Sequence, residues 1–111
     1  MAYKVVVNGC FGGFGVSERG AEWLLANGAS SEKVKIVREG FKYVAIDLER
    51  HDPLLVRMVE TLGSAANGDC AKLFVHTMEQ PLYRIDEYDG SESVEEPGQA
   101  VWTNAGKVEG R

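Results

Sequence analysis

The chain has 111 residues, 44% of them hydrophobic and 26% charged, and a formal net charge of −5. This is the size of one domain with a single small core, and no apolar run is long enough to span a bilayer as a helix. Its two cysteines, Cys10 and Cys70, fit no zinc-site spacing, and its acidic balance disfavours nucleic acid as a direct partner.

Tyr3 to Val7 is rich in β-formers, and the uninterrupted run Val5-Val6-Val7 predicts a central strand. Met1-Ala2-Tyr3-Lys4 enters this strand directly, without the pattern of a secretory leader, so a cytosolic protein with two free thiols is expected. Cys10 and Cys70 then read as small buried hydrophobes. The segment Asn8-Gly9-Cys10-Phe11-Gly12-Gly13-Phe14-Gly15-Val16-Ser17 follows. Glycines here allow positive φ and close backbone approach, at an entropic cost an ordinary connector avoids.

Ser17 is placed as an N-cap with Glu18 in the first turn, and a helix is expected from Glu18 to Asn27. It buries Ala21, Leu24 and Leu25, with Gly28 ending it and Trp23 off the main stripe but placed in the core. Val34–Val37 and Phe41–Ile46, separated by Glu39-Gly40, read as a hairpin. Asp52-Pro53 opens a second helix, with Asp52 as N-cap and Pro53 at N1. Its apolar stripe is Leu54, Leu55, Met58, Val59 and Leu62, and Gly63 or Gly68 closes it.

Lys72–Thr77 and Leu82–Tyr88 are expected to pair with each other as antiparallel strands. In the second of these, Tyr83, Ile85 and Glu87 share one face, and Leu82, Arg84, Asp86 and Tyr88 the other. Asp89-Gly90 is a turn signal. The order β-α-β-β-α-β-β implies an α+β fold: a mainly antiparallel sheet of about five strands with two helices packed on one face. Residues 1–96 form the domain, and residues 97–111 form a tail with one apolar patch, Ala100-Val101-Trp102.

The charge is unevenly placed. Residues 1–78 carry nine basic and nine acidic side chains and balance. Residues 79–96 carry seven acids (Glu79, Asp86, Glu87, Asp89, Glu92, Glu95, Glu96) against Arg84, a local net of −6. Such a patch repels nucleic acid and attracts basic protein surfaces.

Three motifs, Asn8-x-Cys10-Phe11-Gly12-Gly13-Phe14-Gly15-x-Ser17, Asp52-Pro53-Leu54-Leu55-Val56 and Asp86-Glu87-Tyr88-Asp89-Gly90, resemble those of a family of small bacteriophage and prophage proteins of uncharacterised function. The likeness runs over roughly residues 3 to 95. Members tend to carry a Trp soon after Tyr-Asp-Gly, whereas here Ser93 and Val94 follow and Trp102 comes later. The resemblance implies a phage origin and a bacterial cytoplasm, and it brings no catalytic residues. Small acidic phage proteins of this kind are often inhibitors of host defence, anti-CRISPR proteins among them.

The leading expectation is therefore a noncatalytic, anti-CRISPR-like binding protein without cofactor or metal. It would dock on a basic protein surface through Asp86, Glu87, Tyr88, Asp89, Glu92, Glu95 and Glu96. The alternative is a nucleotide or phosphate site at Phe11, Gly12, Gly13, Phe14, Gly15 and Ser17, where a helix N-terminus favours an anion and the phenylalanines flank a base. Against it, the glycine spacing matches neither dinucleotide-binding nor P-loop patterns, Glu18 repels phosphate, and the loop equally suits a tight turn with both phenylalanines in the core. A Cys10–His76 nucleophile and base would require both to reach one end of the sheet.

Overall fold

The computed structural model describes residues 2–97. Six strands and two helices follow in the order β1 (Tyr3–Asn8), α1 (Glu18–Ala26), β2 (Val34–Val37), β3 (Tyr43–Ile46), α2 (Pro53–Leu62), β4 (Leu73–Met78), β5 (Arg84–Tyr88) and β6 (Ser91–Glu95). A short 3-10 turn, Gly63–Ala66, continues α2. The fold is α+β, but its strands form three two-stranded antiparallel sheets, β1–β4, β2–β3 and β5–β6, rather than one sheet of about five.

Local signals explain where the helices begin. Ser17 adopts an extended backbone and accepts a hydrogen bond from the Gly20 N–H, which satisfies one of the orphan donors of α1. Asp52 does the same for Leu54, and Pro53 occupies the first helical turn, where its missing N–H costs nothing. Gly63 ends α2 with φ +56°, and Gly28 follows α1 with φ +107°. The core face of α2 is wider than its predicted stripe. Leu55, Val56, Met58 and Val59 are buried, while Leu54 and Leu62 pack at the margin.

The β1–β4 ribbon is the middle layer. Val5, Val6 and Val7 are all fully buried. Val6 and Val75 are cross-strand partners that face the helices, with Leu24, Leu55 and Met58 beyond them. Val5 and Val7 pack with Met78 against Tyr83, Ile85 and Val94 of the β5–β6 hairpin. The valine run is thus apolar because both faces of the ribbon are covered, not because strands flank it on both sides. Each such valine contributes roughly 1.5–3 kcal/mol.

The expected pairing of Lys72–Thr77 with Leu82–Tyr88 is replaced. β4 pairs with β1, Val6 lying opposite Val75, and β5 pairs with β6, Ile85 lying opposite Val94. The reason is turn chemistry. Asp89 (φ 53°) and Gly90 (φ 89°) form a two-residue turn with both residues left-handed, whose twist suits an immediate hairpin. The Gln80 side chain meanwhile bonds both backbone groups of Leu82 and holds the chain in a bend after β4. Strand β6 went unread because its Ser and Glu residues have low strand propensity.

Gly90 also touches the glycine loop. A Cβ there would lie 2.6 Å from the Gly12 nitrogen and against that of Gly13. Gly90→Ala combines that clash with a left-handed backbone, and it is expected to lower stability by roughly 2 kcal/mol or more, whereas Asp89→Asn stays near neutral. Urea denaturation of the two variants beside the native chain measures the difference.

Candidate functional site

The two terminal motifs, 8–17 and 86–90, meet in space, and Asn8 joins them. Its fully buried side chain makes four hydrogen bonds. Nδ2 donates to the carbonyls of Cys10 and Gly90, both at 2.7 Å. Oδ1 accepts from the N–H groups of Lys72 at 2.8 Å and Cys10 at 3.2 Å. Gly12 adds a backbone bond to the Asp89 carbonyl at 3.2 Å. The far half of the loop is tied to the segment after α2: Gly68 N–H donates to Gly15 O, Ser17 N–H to Ala66 O, and Ser17 Oγ to Ala65 O.

A partly buried ion pair lies beneath this junction. The Arg50 guanidinium grips Glu92 with both arms, Nη1–Oε1 at 2.6 Å and Nη2–Oε2 at 2.8 Å. Glu92 Oε1 also accepts the Asn8 N–H at 2.9 Å. Arg50 lies 3.6 Å from the centroid of the Phe14 ring, a cation–π contact. Its own carbonyl accepts the Val6 N–H at 2.8 Å. The N–H groups of Val6 and Asn8 point away from β4, so Arg50 and Glu92 satisfy the edge of β1 that no strand pairs among the described residues.

Burial alone would push the Glu92 carboxyl up. The hydrogen bonds from Arg50 and Asn8 and the charge of Arg50 outweigh it and hold Glu92 below the usual carboxylate range. Glu96, also buried, is lowered chiefly by its hydrogen bond with His76 at 3.0 Å, burial opposing, with Gln80 assisting at 3.3 Å.

These contacts divide the expected docking residues. Glu92 and Glu96 are turned inward, and Glu95 pairs with Arg84 at 2.5 Å. The expectation of one continuous acidic face is corrected accordingly: alternation along β6 sends Glu92, Val94 and Glu96 to the inner side. Asp86, Glu87, Tyr88 and Asp89 remain exposed at the hairpin tip, where Glu87 accepts the Gly90 N–H at 2.8 Å. Tyr88 is 77% exposed.

The glycine-loop residues are also divided. Phe14 packs on the core, but Phe11 is 64% exposed, so the phenylalanines neither both fill the core nor both flank a ligand. Ser17 Oγ is engaged twice, and the N–H groups of Gly9, Cys10, Gly12 and Ser17 all donate within the chain. Gly12 is required for space, because a Cβ there would lie 2.6 Å from that of Cys70.

Cys10 is half-buried and Cys70 is exposed with φ 63°, which corrects the expectation of a buried Cys70. Cys70 sits on the connection that leads into β4, at a turn that faces Gly12 of the glycine loop. His76 lies opposite Val5, three residue pairs from the Asn8–Leu73 end, or roughly 10 Å along the strand, and it bonds Glu96 rather than Cys10. Trp23 is half-buried against the core. Residues 98–111, with Trp102, lie outside the described part. Among the described residues no group of three or more His, Cys, Asp or Glu side chains is placed to hold a metal ion, and no helix is long and apolar enough to cross a membrane.

Sequence reasoning missed Arg50 and the structural role of Glu92. The available signal was the alternation of Ser91, Ser93 against Glu92, Val94, which places a carboxylate on an apolar face and so requires a partner. No family model matches the chain, and neither does any curated protein or solved structure.

Glu92→Gln and Arg50→Met each leave a buried polar group short of its partner. The expected loss is roughly 2–4 kcal/mol, discounted because the Arg50 side chain keeps 24% of its surface exposed. Because the folded carboxyl of Glu92 lies below its unfolded value, its contribution is complete above about pH 4.3 and is lost as pH falls through the depressed folded value. Denaturation across pH should show a shallower acid decline for Glu92→Gln than for the native chain. Asn8→Ala, which strands the Lys72 N–H and the Gly90 carbonyl, should cost roughly 2–3 kcal/mol at every pH, read by the same denaturation series.

Proposed function

We propose that the protein is a noncatalytic binding protein that docks on a basic surface of a protein partner through the tip of the β5–β6 hairpin. The supporting observation is the exposed Tyr88, set among the exposed carboxylates Asp86, Glu87 and Asp89 on a turn braced by the glycine loop. An exposed aromatic side chain ringed by like charges suits an interface anchor, with the charges steering the encounter. Exposed Phe11 belongs to the loop that braces this tip. Rigid presentation lowers the ordering cost of association.

The resemblance to small phage proteins makes a bacterial host factor, one serving defence, the partner class to seek, and the bacterial cytoplasm the compartment. A nucleotide or phosphate ligand at the glycine loop draws less support, because four of the loop's N–H groups already donate within the chain.

Affinity capture from bacterial extract at low and raised salt tests the proposal. Asp86→Asn, Glu87→Gln and Asp89→Asn combined keep the turn, since Asn tolerates positive φ and Gln keeps an acceptor for Gly90. The triple variant and Tyr88→Ala should each weaken capture of a partner by about tenfold or more, while Glu95→Gln leaves it unchanged. Capture indifferent to both variants and to salt overturns the proposal.

A further inference from the structure

A concave surface lies well away from the hairpin tip, at the opposite end of the β1–β4 ribbon. It is a cleft of about 530 Å³ between the first residues of β1, the start of α2 and the chain that follows β4. That volume lies in the range of small-molecule sites. Its apolar walls come from Tyr3, Pro53, Val56, Met78 and Pro81, of which Val56 and Met78 are buried.

The polar groups in this cleft are few. His51 Nδ1 and the Tyr83 hydroxyl are 2.7 Å apart, and their rings meet edge to face at 5.7 Å. Burial, and then the charge of Glu49, push the Tyr83 hydroxyl above its usual value against the opposing effect of Arg50, so it stays protonated.

The charged lining is cationic. Among the described residues lining the cleft, the only charged side chains are Lys4 and Arg57, although the chain as a whole carries −5. Lys4 is held by Glu60 at 2.7 Å, outside the lining. Arg57 makes no ion pair among the described residues, and its guanidinium lies 5.6 Å from the Trp23 ring centroid.

We propose that this cleft binds a small planar organic anion of the aromatic monocarboxylate class, with the ring against Pro53, Met78 and Pro81 and the carboxylate toward Arg57. An apolar slot that counts Arg57 among its lining residues and holds no carboxylate there matches both halves of such a ligand. A guanidinium is also the side chain best shaped to grip a carboxylate with two donors.

Titration of the full chain with benzoate, followed by calorimetry and by the ring resonances of His51 and Tyr83, tests the assignment. Benzyl alcohol, neutral and of similar shape, is the control. The expected result is saturable benzoate binding that shifts both rings, with much weaker binding of benzyl alcohol. Arg57→Met, on an exposed position of α2, should weaken benzoate by about tenfold while leaving benzyl alcohol unchanged. Tyr83→Phe, which removes the hydroxyl but keeps the ring, should weaken benzoate less and abolish the coupled shift at His51. Absence of saturable binding, equal affinity for the neutral control, or full affinity in Arg57→Met overturns the proposal.

Discussion

One buried carboxylate organises this fold. Glu92 takes both arms of Arg50 and the N–H of Asn8, and Arg50 in turn offers its carbonyl to Val6. A strand with an unpaired edge needs partners for its outward N–H groups, and β1 finds them in a loop residue and a side chain rather than in another strand. The same contacts tie the β5–β6 hairpin to the ribbon and bring Phe14 under the guanidinium. Two-stranded sheets are marginal alone, so the body of the protein depends on the ribbon being covered by helices on one face and by the hairpin on the other.

The glycine loop acquires its meaning from that arrangement. Its chain runs so close to the Asp89-Gly90 turn that a Cβ on Gly90 would strike the Gly12 and Gly13 nitrogens, while Gly12 and Gly13 supply the positive φ of the loop. A segment that resembles a ligand cradle is therefore, in large part, a backbone junction. Its hydrogen bonds go to Asp89, Lys72 and Ala66, and its side chains divide between the core and solvent. The carboxylates of residues 79–96 divide likewise. Some hold the structure together, and those at the hairpin tip stay in water. Charge counted along a sequence thus overstates charge on a surface whenever alternation turns every second residue inward.

Local features were legible. Ser17 and Asp52 cap the helices they were expected to cap, the 34–46 hairpin is present, and Asp89-Gly90 turns the chain. Less was legible where an outcome required a distant partner. Lys72–Thr77 could pair with either of two strands on pattern alone, and the choice of β1 followed from the hairpin closing on itself. Glu92 looked like one surface acid among seven because Arg50 stands in an unremarkable connection before α2. The His51–Tyr83 contact had no signal at all, since neither residue belongs to a motif.

The amino-acid order by itself determined the α+β class, the helix caps, the central burial of Val5-Val6-Val7 and the tight turn at Asp89-Gly90. These depend on side chains within a few positions of each other, where periodicity and turn stereochemistry act. Only the tertiary structure decided which strands pair, which acids face water and why the loop is rich in glycine. Those outcomes rest on contacts such as Arg50 with Glu92, 42 positions apart, and Asn8 with Glu92, 84 apart, and a buried charge has no meaning until the group that neutralises it has been brought beside it.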